Sequence, residues 1–122
     1  MTAAILVVDD SASVKAAIRI ALTAAGYRLA EAADGAEGIA RANAGNFDLI
    51  ITDLNMPVMD GLTMIETMRT MPAHAGVPIV FLTTESDETM KQRARAAGAT
   101  GWLTKPFDPE QLVKVARKVL GR

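Results

Sequence analysis

The fold is decided by residues 49–61, which read LIITDLNMPVMDG. The stretch begins with a short apolar run, reaches a carboxylate at Asp53, and ends in Asp60-Gly61, a start signal for a helix. A short apolar run bounded by polar residues is typical of a strand buried on both faces of a parallel sheet. The stretch therefore predicts a strand, a polar loop at its carboxyl end and a helix, in that order.

The same alternation extends through the rest of the chain. We predict further strands at residues 4–8, 27–30, 78–82 and 100–103. We predict the other helices at residues 13–25, 34–42, 86–97 and from 108 onward. Asp34 is predicted as the N-cap of a capping box, and Asp108 as an N-cap followed by proline, an acid and Gln111. Five β-α units in succession indicate an α/β fold, a single doubly wound domain with a parallel five-stranded sheet and right-handed crossovers.

The composition excludes several classes of function. The chain has 122 residues, the size of one domain, and its formal net charge of -1 gives no basic field for nucleic acid. The absence of cysteine excludes disulfides, thiolate metal sites and cysteine catalysis. No apolar run is long enough to cross a bilayer, and no basic leader precedes the first strand. We therefore expect a cytoplasmic protein that does not insert into membranes.

Chemically related side chains follow four of the predicted strands. Asp9-Asp10 follows the first strand, Asp53 the third, Thr83-Thr84 the fourth and Lys105 the fifth. Ligands of such sheets bind at the carboxyl ends of the strands, so these groups should converge. Carboxylates in close proximity repel one another, and a hard divalent cation such as Mg²⁺ relieves that repulsion while leaving room for a phosphoryl oxygen. A carboxylate beside such a cation can form an acyl phosphate.

These motifs together resemble the receiver domains of bacterial two-component response regulators. The matching pieces are Asp9-Asp10, TDLNMPVMDG at 52–61, LTT at 82–84, GATGW at 98–102 and KPF at 105–107. The resemblance covers residues 1–122 and is strongest to the single-domain chemotaxis regulators, so it implies a receiver domain without an output domain. It also implies the flavodoxin-like (βα)5 fold with strand order 2-1-3-4-5.

The resemblance implies a phosphorylation site and a magnesium site. Asp53 matches the phosphoacceptor, and Lys105 matches the lysine that pairs with the phosphoryl group. Asp10 and Asp53 match the carboxylates that bind Mg²⁺ directly, while Asp9 matches a carboxylate that assists through water. Asn55 matches the position whose backbone carbonyl completes the protein ligands.

The resemblance also implies a switch and a tuned lifetime. Thr83 matches the hydroxyl that moves toward the phosphoryl group, and Trp102 occupies the switch aromatic position, where the family commonly has Tyr or Phe. The proline after the family's lysine, Pro106 here, often follows a cis bond. Asn55 and Glu85 should flank the path of an attacking water, as in the chemotaxis regulators, and predict a labile phosphoryl group.

The resemblance further implies partners. A histidine kinase, of the chemotaxis type by the Asn55 and Glu85 pair, would donate the phosphoryl group to a monomeric protein. Phosphorylation would then favour binding to a target such as the flagellar motor switch, and the protein would catalyse only its own phosphorylation and dephosphorylation. A phosphorelay intermediate or a phosphate sink remains an alternative. A small phosphatase with an Asp nucleophile is disfavoured, because Asn55 stands where such enzymes place a general acid.

Three surface interpretations complete the analysis. Ala16, Ala17 and Ile20 are candidates for docking the phosphodonor, because their helix follows Asp10 directly. Lys91, Arg93 and Arg95 are interpreted as a solvated face of the fourth helix, and the alternative is target docking, which the resemblance implies for the surface of helix four, strand five and helix five. His74 lies between prolines and a glycine, and we expect it on the surface of a loop.

Overall fold

The fold is a five-stranded sheet with five helices, in a computed structural model that describes residues 2–54, 56, 58–83 and 88–121. The strands are β1 (Ala4–Val8), β2 (Arg28–Ala32), β3 (Leu49–Asp53), β4 (Ile79–Thr83) and β5 (Gly101–Thr104). The helices are α1 (Ala12–Ala24), α2 (Gly35–Ala44), α3 (Gly61–Arg69), α4 (Glu88–Ala97) and α5 (Pro109–Leu120). A short 3₁₀ helix at Pro72–His74 precedes β4.

The sheet is parallel throughout, with the order β2-β1-β3-β4-β5. The predicted α/β class, the (βα)5 architecture and the 2-1-3-4-5 order are confirmed. The central strands β1, β3 and β4 are buried along their whole length, as continuous apolar runs predict. The edge strands β2 and β5 are mostly half-buried.

Two apolar layers cover the two faces of the sheet. On one face, Ile5, Val7, Ile51 and Leu82 pack against apolar residues of α1 and α5, such as Ile18 and Leu112. On the other face, Leu6, Val8, Ile50 and Phe81 pack against α2, α3 and α4, where Met64, Ile65 and Ala94 are fully buried. Each fully buried aliphatic side chain contributes about 1.5–3 kcal/mol, so the two layers fix the relative positions of the strand ends.

Local capping signals set most of the helix boundaries. Asp34 Oδ1 accepts from the Glu37 amide and Asp60 Oδ1 from the Thr63 amide. The start of α5 is a complete capping box between Asp108 and Gln111. The first turn of α2 has the Asp34 cap without the return bond from Glu37 among the described hydrogen bonds, so the capping box predicted there is only half formed.

The remaining boundary predictions differ from the structure by a few residues. Helix α1 begins at Ala12, because the Ser11 side chain caps it by accepting from the Val14 amide. It ends in a glycine turn, where Gly26 has φ +97° and the Tyr27 amide donates to the Leu22 carbonyl. The first two residues of the helix predicted at 86–97, Ser86 and Asp87, lie outside the described residues.

The prediction that His74 lies on a loop surface is wrong. The side chain is buried at 7% exposure, and its Nε2 donates to Asn43 Oδ1 over 2.8 Å. Asn43 stands 31 residues earlier, near the end of α2. The burial therefore depends on how α2 packs against the 3₁₀ helix, which local turn signals do not encode.

Candidate functional site

The carboxyl ends of β1 and β3 bring two aspartates side by side. Val8 is paired with Thr52 across the sheet, so one further residue along each strand places Asp9 level with Asp53. Asp9 is fully buried and Asp53 is buried at 8% exposure. Both carboxylates are buried because Asp53 is the last residue of a fully buried strand and Asp9 directly follows another.

Lys105 lies between these two carboxylates. Its Nζ is 3.2 Å from Asp9 Oδ2 and 3.3 Å from Asp53 Oδ2. Each carboxylate also accepts one backbone hydrogen bond, since the Ser11 amide donates to Asp9 Oδ1 and the Leu54 amide donates to Asp53 Oδ1, both over 2.8 Å. The two amides hold the carboxylate planes in position and leave the Oδ2 atoms facing the ammonium.

Asp10 completes a cluster of three carboxylates with Asp9 and Asp53. One oxygen from each lies within 4.8 Å of the others, and the Asp10 side chain is exposed at the edge of the cluster. The donor set contains only oxygen, and three carboxylates outnumber the single ammonium of Lys105. Mg²⁺ prefers oxygen ligands and retains several waters, so this arrangement of one exposed and two buried carboxylates fits it.

The electrostatics of Asp53 show the same imbalance. Burial raises the pKa of the Asp53 carboxyl above its ordinary value, and the neighbouring Asp9 raises it further, while Lys105 and the Leu54 amide oppose the shift. The net direction is upward, so the ionised carboxylate is destabilised in the folded protein. A cation bound at this place would favour the ionised form, which is the nucleophilic one.

Thr83 and Lys105 are held next to each other at the ends of β4 and β5. The Lys105 amide donates to the Thr83 carbonyl over 2.7 Å, and the Lys105-Pro106 peptide bond is cis. Thr83 is buried at the last position of β4 and pairs with Thr104. The structure therefore brings Asp9, Asp10, Asp53, Thr83 and Lys105 to one end of the sheet.

Gly61 is required directly beneath Asp53. A Cβ on Gly61 would lie 2.0 Å from the Asp53 carbonyl oxygen, and the Gly61 amide donates to the Leu54 carbonyl over 3.0 Å. The loop from Leu54 to Gly61 is thereby closed at its base. Any side chain at Gly61 would push this loop away from the carboxylates.

Trp102 is half-buried on β5, with cationic side chains around its ring. The ring centroid is 6.1 Å from that of Phe81, with Lys91 Nζ at 4.7 Å and Arg95 Cζ at 4.8 Å. Two residues of the basic face of α4 therefore contact an aromatic ring. The interpretation of that face as solvated is wrong for Lys91, whose side chain is 13% exposed, whereas Arg95 contacts the ring and remains exposed.

Two predicted site residues lie outside the described part of the chain, and two backbone amides of the site are absent from the sequence-based prediction. Asn55 and Glu85 lie outside the described residues, so their proposed roles stay predictions. The sequence analysis missed the amides of Ser11 and Leu54, which orient the two buried carboxylates. Backbone donors carry no signature in residue type, so only the positions directly after the aspartates could have indicated them.

Comparisons with known proteins agree on one family. The family model for the response regulator receiver domain matches residues 5–117. The transcriptional regulatory protein ResD of Bacillus subtilis (strain 168) is 36% identical over 118 residues, which are 97% of this chain and 48% of ResD. This chain spans about half the length of the curated relatives it matches.

Solved structures of similar chains share the fold. The chemotaxis response regulator CheY4 of Vibrio cholerae is 44% identical, with a TM-score of 0.94 over 98% of this chain and 99% of CheY4. The receiver domain of the sensor histidine kinase PA1611 from Pseudomonas aeruginosa PAO1 is 28% identical, with a TM-score of 0.92 over 100% of both chains, and has a magnesium ion coordinated in its active site cleft. Within the described part of this chain, no helix has the length and apolar character to cross a membrane.

Proposed function

This chain belongs to the family of response regulator receiver domains, and on that premise we propose that it is a switch that accepts a phosphoryl group on Asp53. Receiver domains take phosphate from histidine kinases and bind Mg²⁺ at an acidic pocket. The observation that carries the proposal is the position of Lys105 Nζ, which is 3.2 Å from Asp9 and 3.3 Å from Asp53 within a cluster of three carboxylates.

The transfer uses Asp53 as a nucleophile. A carboxylate oxygen of Asp53 attacks phosphorus, the phosphorus–nitrogen bond of the phosphohistidine breaks, and its electron pair leaves on the imidazole nitrogen. Lys105 exchanges its contact with the Asp53 carboxylate for a contact with a phosphoryl oxygen, since both are anionic oxygens. The Thr83 hydroxyl donates to another phosphoryl oxygen.

The magnesium ligands follow from the same cluster. Asp10 and Asp53 would bind Mg²⁺ directly, Asn55 would contribute its backbone carbonyl, and Asp9 would assist through water. When bound, the cation offsets the negative charge that gathers as phosphate approaches three carboxylates. Asn55 and Glu85 would flank the water that later hydrolyses the acyl phosphate, which predicts a short-lived signal.

The direct test is intact mass after incubation with Mg²⁺ and acetyl phosphate. We expect wild type to gain the mass of one phosphoryl group, and Asp53→Ala and chelator-treated wild type to gain none. Replacement of Asn55 and Glu85 should change the rate at which the gained mass disappears. A folded wild-type protein that gains no mass with Mg²⁺ and acetyl phosphate would contradict the phosphoacceptor assignment.

The donor is proposed to dock beside Lys105. A groove of about 440 Å³ runs there between α1 and the segment before α5, and its lining residues are Ser13, Val14, Ala17, Lys105, Pro106 and Phe107. Ala17 of this groove is one of the three predicted docking positions on α1, with Ala16 and Ile20. Ile20 is 71% exposed, so its side chain is available to a partner.

We propose chemotaxis as the pathway, with a chemotaxis-type histidine kinase as donor and a target such as the flagellar motor switch. The support is the match to CheY4 over nearly the full length of both chains. The test is phosphotransfer from purified chemotaxis kinases of the same organism, followed by binding of the phosphorylated protein to motor-switch protein.

A second candidate is the receiver part of a transcription regulator. The curated relatives are named as transcriptional regulators and are about twice as long as this chain. If the gene continues into a DNA-binding region, or if phosphorylation controls a promoter and leaves swimming unchanged, this second function replaces the first. Receiver chemistry at Asp53 is common to both.

A further inference from the structure

Val58 has a backbone conformation that its side chain disfavours. Its φ is +67°, and among the described residues it is the one non-glycine residue with positive φ. In this left-handed region the Cβ crowds the backbone, and β-branched residues adopt it least readily of all, whereas Asn and Gly adopt it with ease. The fold would therefore be more stable with Asn or Gly at this position.

The Val58 side chain gains nothing from the fold in return. It is 86% exposed, the more exposed of the two large apolar side chains that stand in solvent within the described chain. The other, Ile20, lies on a regular helix without strain. An apolar side chain that is both strained and solvated costs stability through its backbone and recovers none through packing.

The ends of the surrounding loop are fixed, so Val58 is held in place. The Gly61 amide donates to the Leu54 carbonyl over 3.0 Å, and the Gly35 amide donates to the Met59 carbonyl over 2.9 Å. The Met59 carbonyl is thus hydrogen-bonded to the first residue of α2, and the bond between Gly61 and Leu54 joins the two ends of the loop. These anchors present the Val58 side chain to solvent at a set place.

That place is close to the phosphoacceptor. Three Cα–Cα steps of about 3.8 Å put the Val58 Cα within roughly 11 Å of the Gly61 Cα. The Gly61 backbone in turn touches the Asp53 carbonyl, since a Cβ there would lie 2.0 Å from it. A protein that delivers a phosphohistidine to Asp53 must cover the surface around this carboxylate, whereas acetyl phosphate needs no such surface.

We propose that Val58 is a specificity-determining contact for the protein phosphodonor, and that its side chain packs against an apolar part of that donor during phosphotransfer. The inference rests on the proposed function, because it needs Asp53 to accept phosphate from a histidine-bearing protein. It adds a contact on the β3–α3 loop to the docking positions on α1. Its strain is retained because the apolar side chain serves the donor and not the fold.

The test separates the side chain from the backbone strain. Val58→Asn removes the apolar group and relieves most of the strain, and Val58→Ala removes most of the apolar group while keeping a Cβ at positive φ. The donor is the ³²P-labelled histidine kinase of the same organism that transfers fastest to wild type. The readouts are kcat/KM for transfer from this kinase, the rate of phosphorylation by acetyl phosphate, and the thermal midpoint.

We expect transfer from the kinase to fall about tenfold in both variants, as for loss of one buried apolar contact. The rate of phosphorylation by acetyl phosphate should stay within about twofold of wild type, because neither variant changes Asp53, Lys105 or Thr83. The thermal midpoint should rise by about 3 °C in Val58→Asn alone.

Three results would overturn the inference in distinguishable ways. Unchanged transfer from the kinase in both variants would show that Val58 contacts no donor. An equal loss with kinase and acetyl phosphate would assign the effect to the geometry around Asp53. If wild type accepts phosphate from acetyl phosphate but from no kinase, it has no protein donor for Val58 to contact. If it accepts phosphate from neither, the proposed function itself is contradicted.

Discussion

The two ends of the sheet treat charge in opposite ways. At the end formed by the amino termini of the strands, the Arg69 guanidinium donates to three carbonyls, those of Gly98, His74 and Ala75. At the opposite, carboxyl end, three carboxylates face the single ammonium of Lys105. The first arrangement satisfies a positive charge within the fold, whereas the second leaves an excess of negative charge that a divalent cation would offset.

The comparison predicts opposite signs for charge removal. Neutralising a side chain at the amino-terminal end should cost stability, because its partners lose their donors. Neutralising one of the buried carboxylates at the carboxyl-terminal end should raise stability while it removes function.

The largest expected effect is at Arg69. Burial lowers the pKa of its guanidinium, yet four hydrogen bonds offset the cost of that burial. Arg69→Ala should lower the free energy of unfolding by about 2–4 kcal/mol, measured by urea denaturation. Arg69→Met, which retains an apolar stem of similar length, should lose somewhat less.

A matched control for Arg69 is Arg93→Ala, on the exposed side of α4, which should change stability by less than about 0.5 kcal/mol. The rate of phosphorylation by acetyl phosphate should stay unchanged in folded Arg69→Met. A stability change at Arg69 no larger than that at Arg93 would remove the contrast between the two ends.

The second prediction reverses the sign, at Asp53. Burial raises the pKa of this carboxyl, so its ionised form destabilises the folded protein. Without divalent cations, Asp53→Asn should be more stable than wild type at neutral pH by about 1 kcal/mol, measured by urea denaturation in chelator. In wild type, added Mg²⁺ should raise the thermal midpoint, and in Asp53→Asn this rise should be much smaller.

The sign of the pH dependence at Asp53 follows from the raised pKa. Between the ordinary value of 3.8 and the raised folded-state value, the folded protein holds more protons than the unfolded chain. Stability of wild type should therefore fall as pH rises through this window, and the advantage of Asp53→Asn should vanish below it. An advantage that is equally large below pH 3.8 would indicate a cause other than ionisation.

The polar site at the carboxyl-terminal end of the sheet is predictable from the sequence, whereas the polar contacts at the amino-terminal end are not. Asp9, Asp53 and Lys105 follow directly from apolar runs, and parallel strands bring their carboxyl ends together by rule. The polar contacts of the other end depend on packing between distant segments, such as Asn43 with His74 and Arg69 with Gly98. No local pattern encodes which helix a buried histidine will contact, so the turn residues around His74 wrongly predict a surface position.

A smaller effect is expected at the ring of Trp102. Lys91 and Arg95 lie 4.7 and 4.8 Å from its centroid, on a partly exposed surface where a cation–π contact contributes about 0.5–1 kcal/mol. Lys91→Ala and Arg95→Ala should each lower stability by about that amount and increase quenching of tryptophan fluorescence by acrylamide. Trp102 is the single tryptophan of the chain, so the signal is unambiguous.

Arg93→Ala again serves as the control, since Arg93 lies on the same helix and no contact with the ring is recorded for it among the described residues. If quenching rises equally in the control, the cations do not hold the ring. If it rises only in Lys91→Ala and Arg95→Ala, the two side chains hold the indole ring in place. Activation would then have to displace α4 before the ring could turn.

The smallest effect is expected at the ion pair between Arg19 of α1 and Glu31 of β2, which belongs to neither end's polar cluster. The hydrogen bond from Arg19 holds the pKa of the Glu31 carboxyl below its ordinary value of 4.5. The pair's contribution to stability is therefore fully present above pH 4.5 and is lost as pH falls through the lowered folded-state value. Because the side chains are 51% and 27% exposed, solvent screens the pair and its contribution stays small.

Glu31→Gln should destabilise the protein slightly at neutral pH and not at all in strong acid, measured by urea denaturation across pH. Added salt should reduce the difference between variant and wild type. This acid loss runs opposite to the acid gain expected at Asp53, so the single variants Glu31→Gln and Asp53→Asn should change the slope of stability against pH near pH 4 in opposite directions. Slopes that change in the same direction in both variants would contradict the opposite pKa shifts.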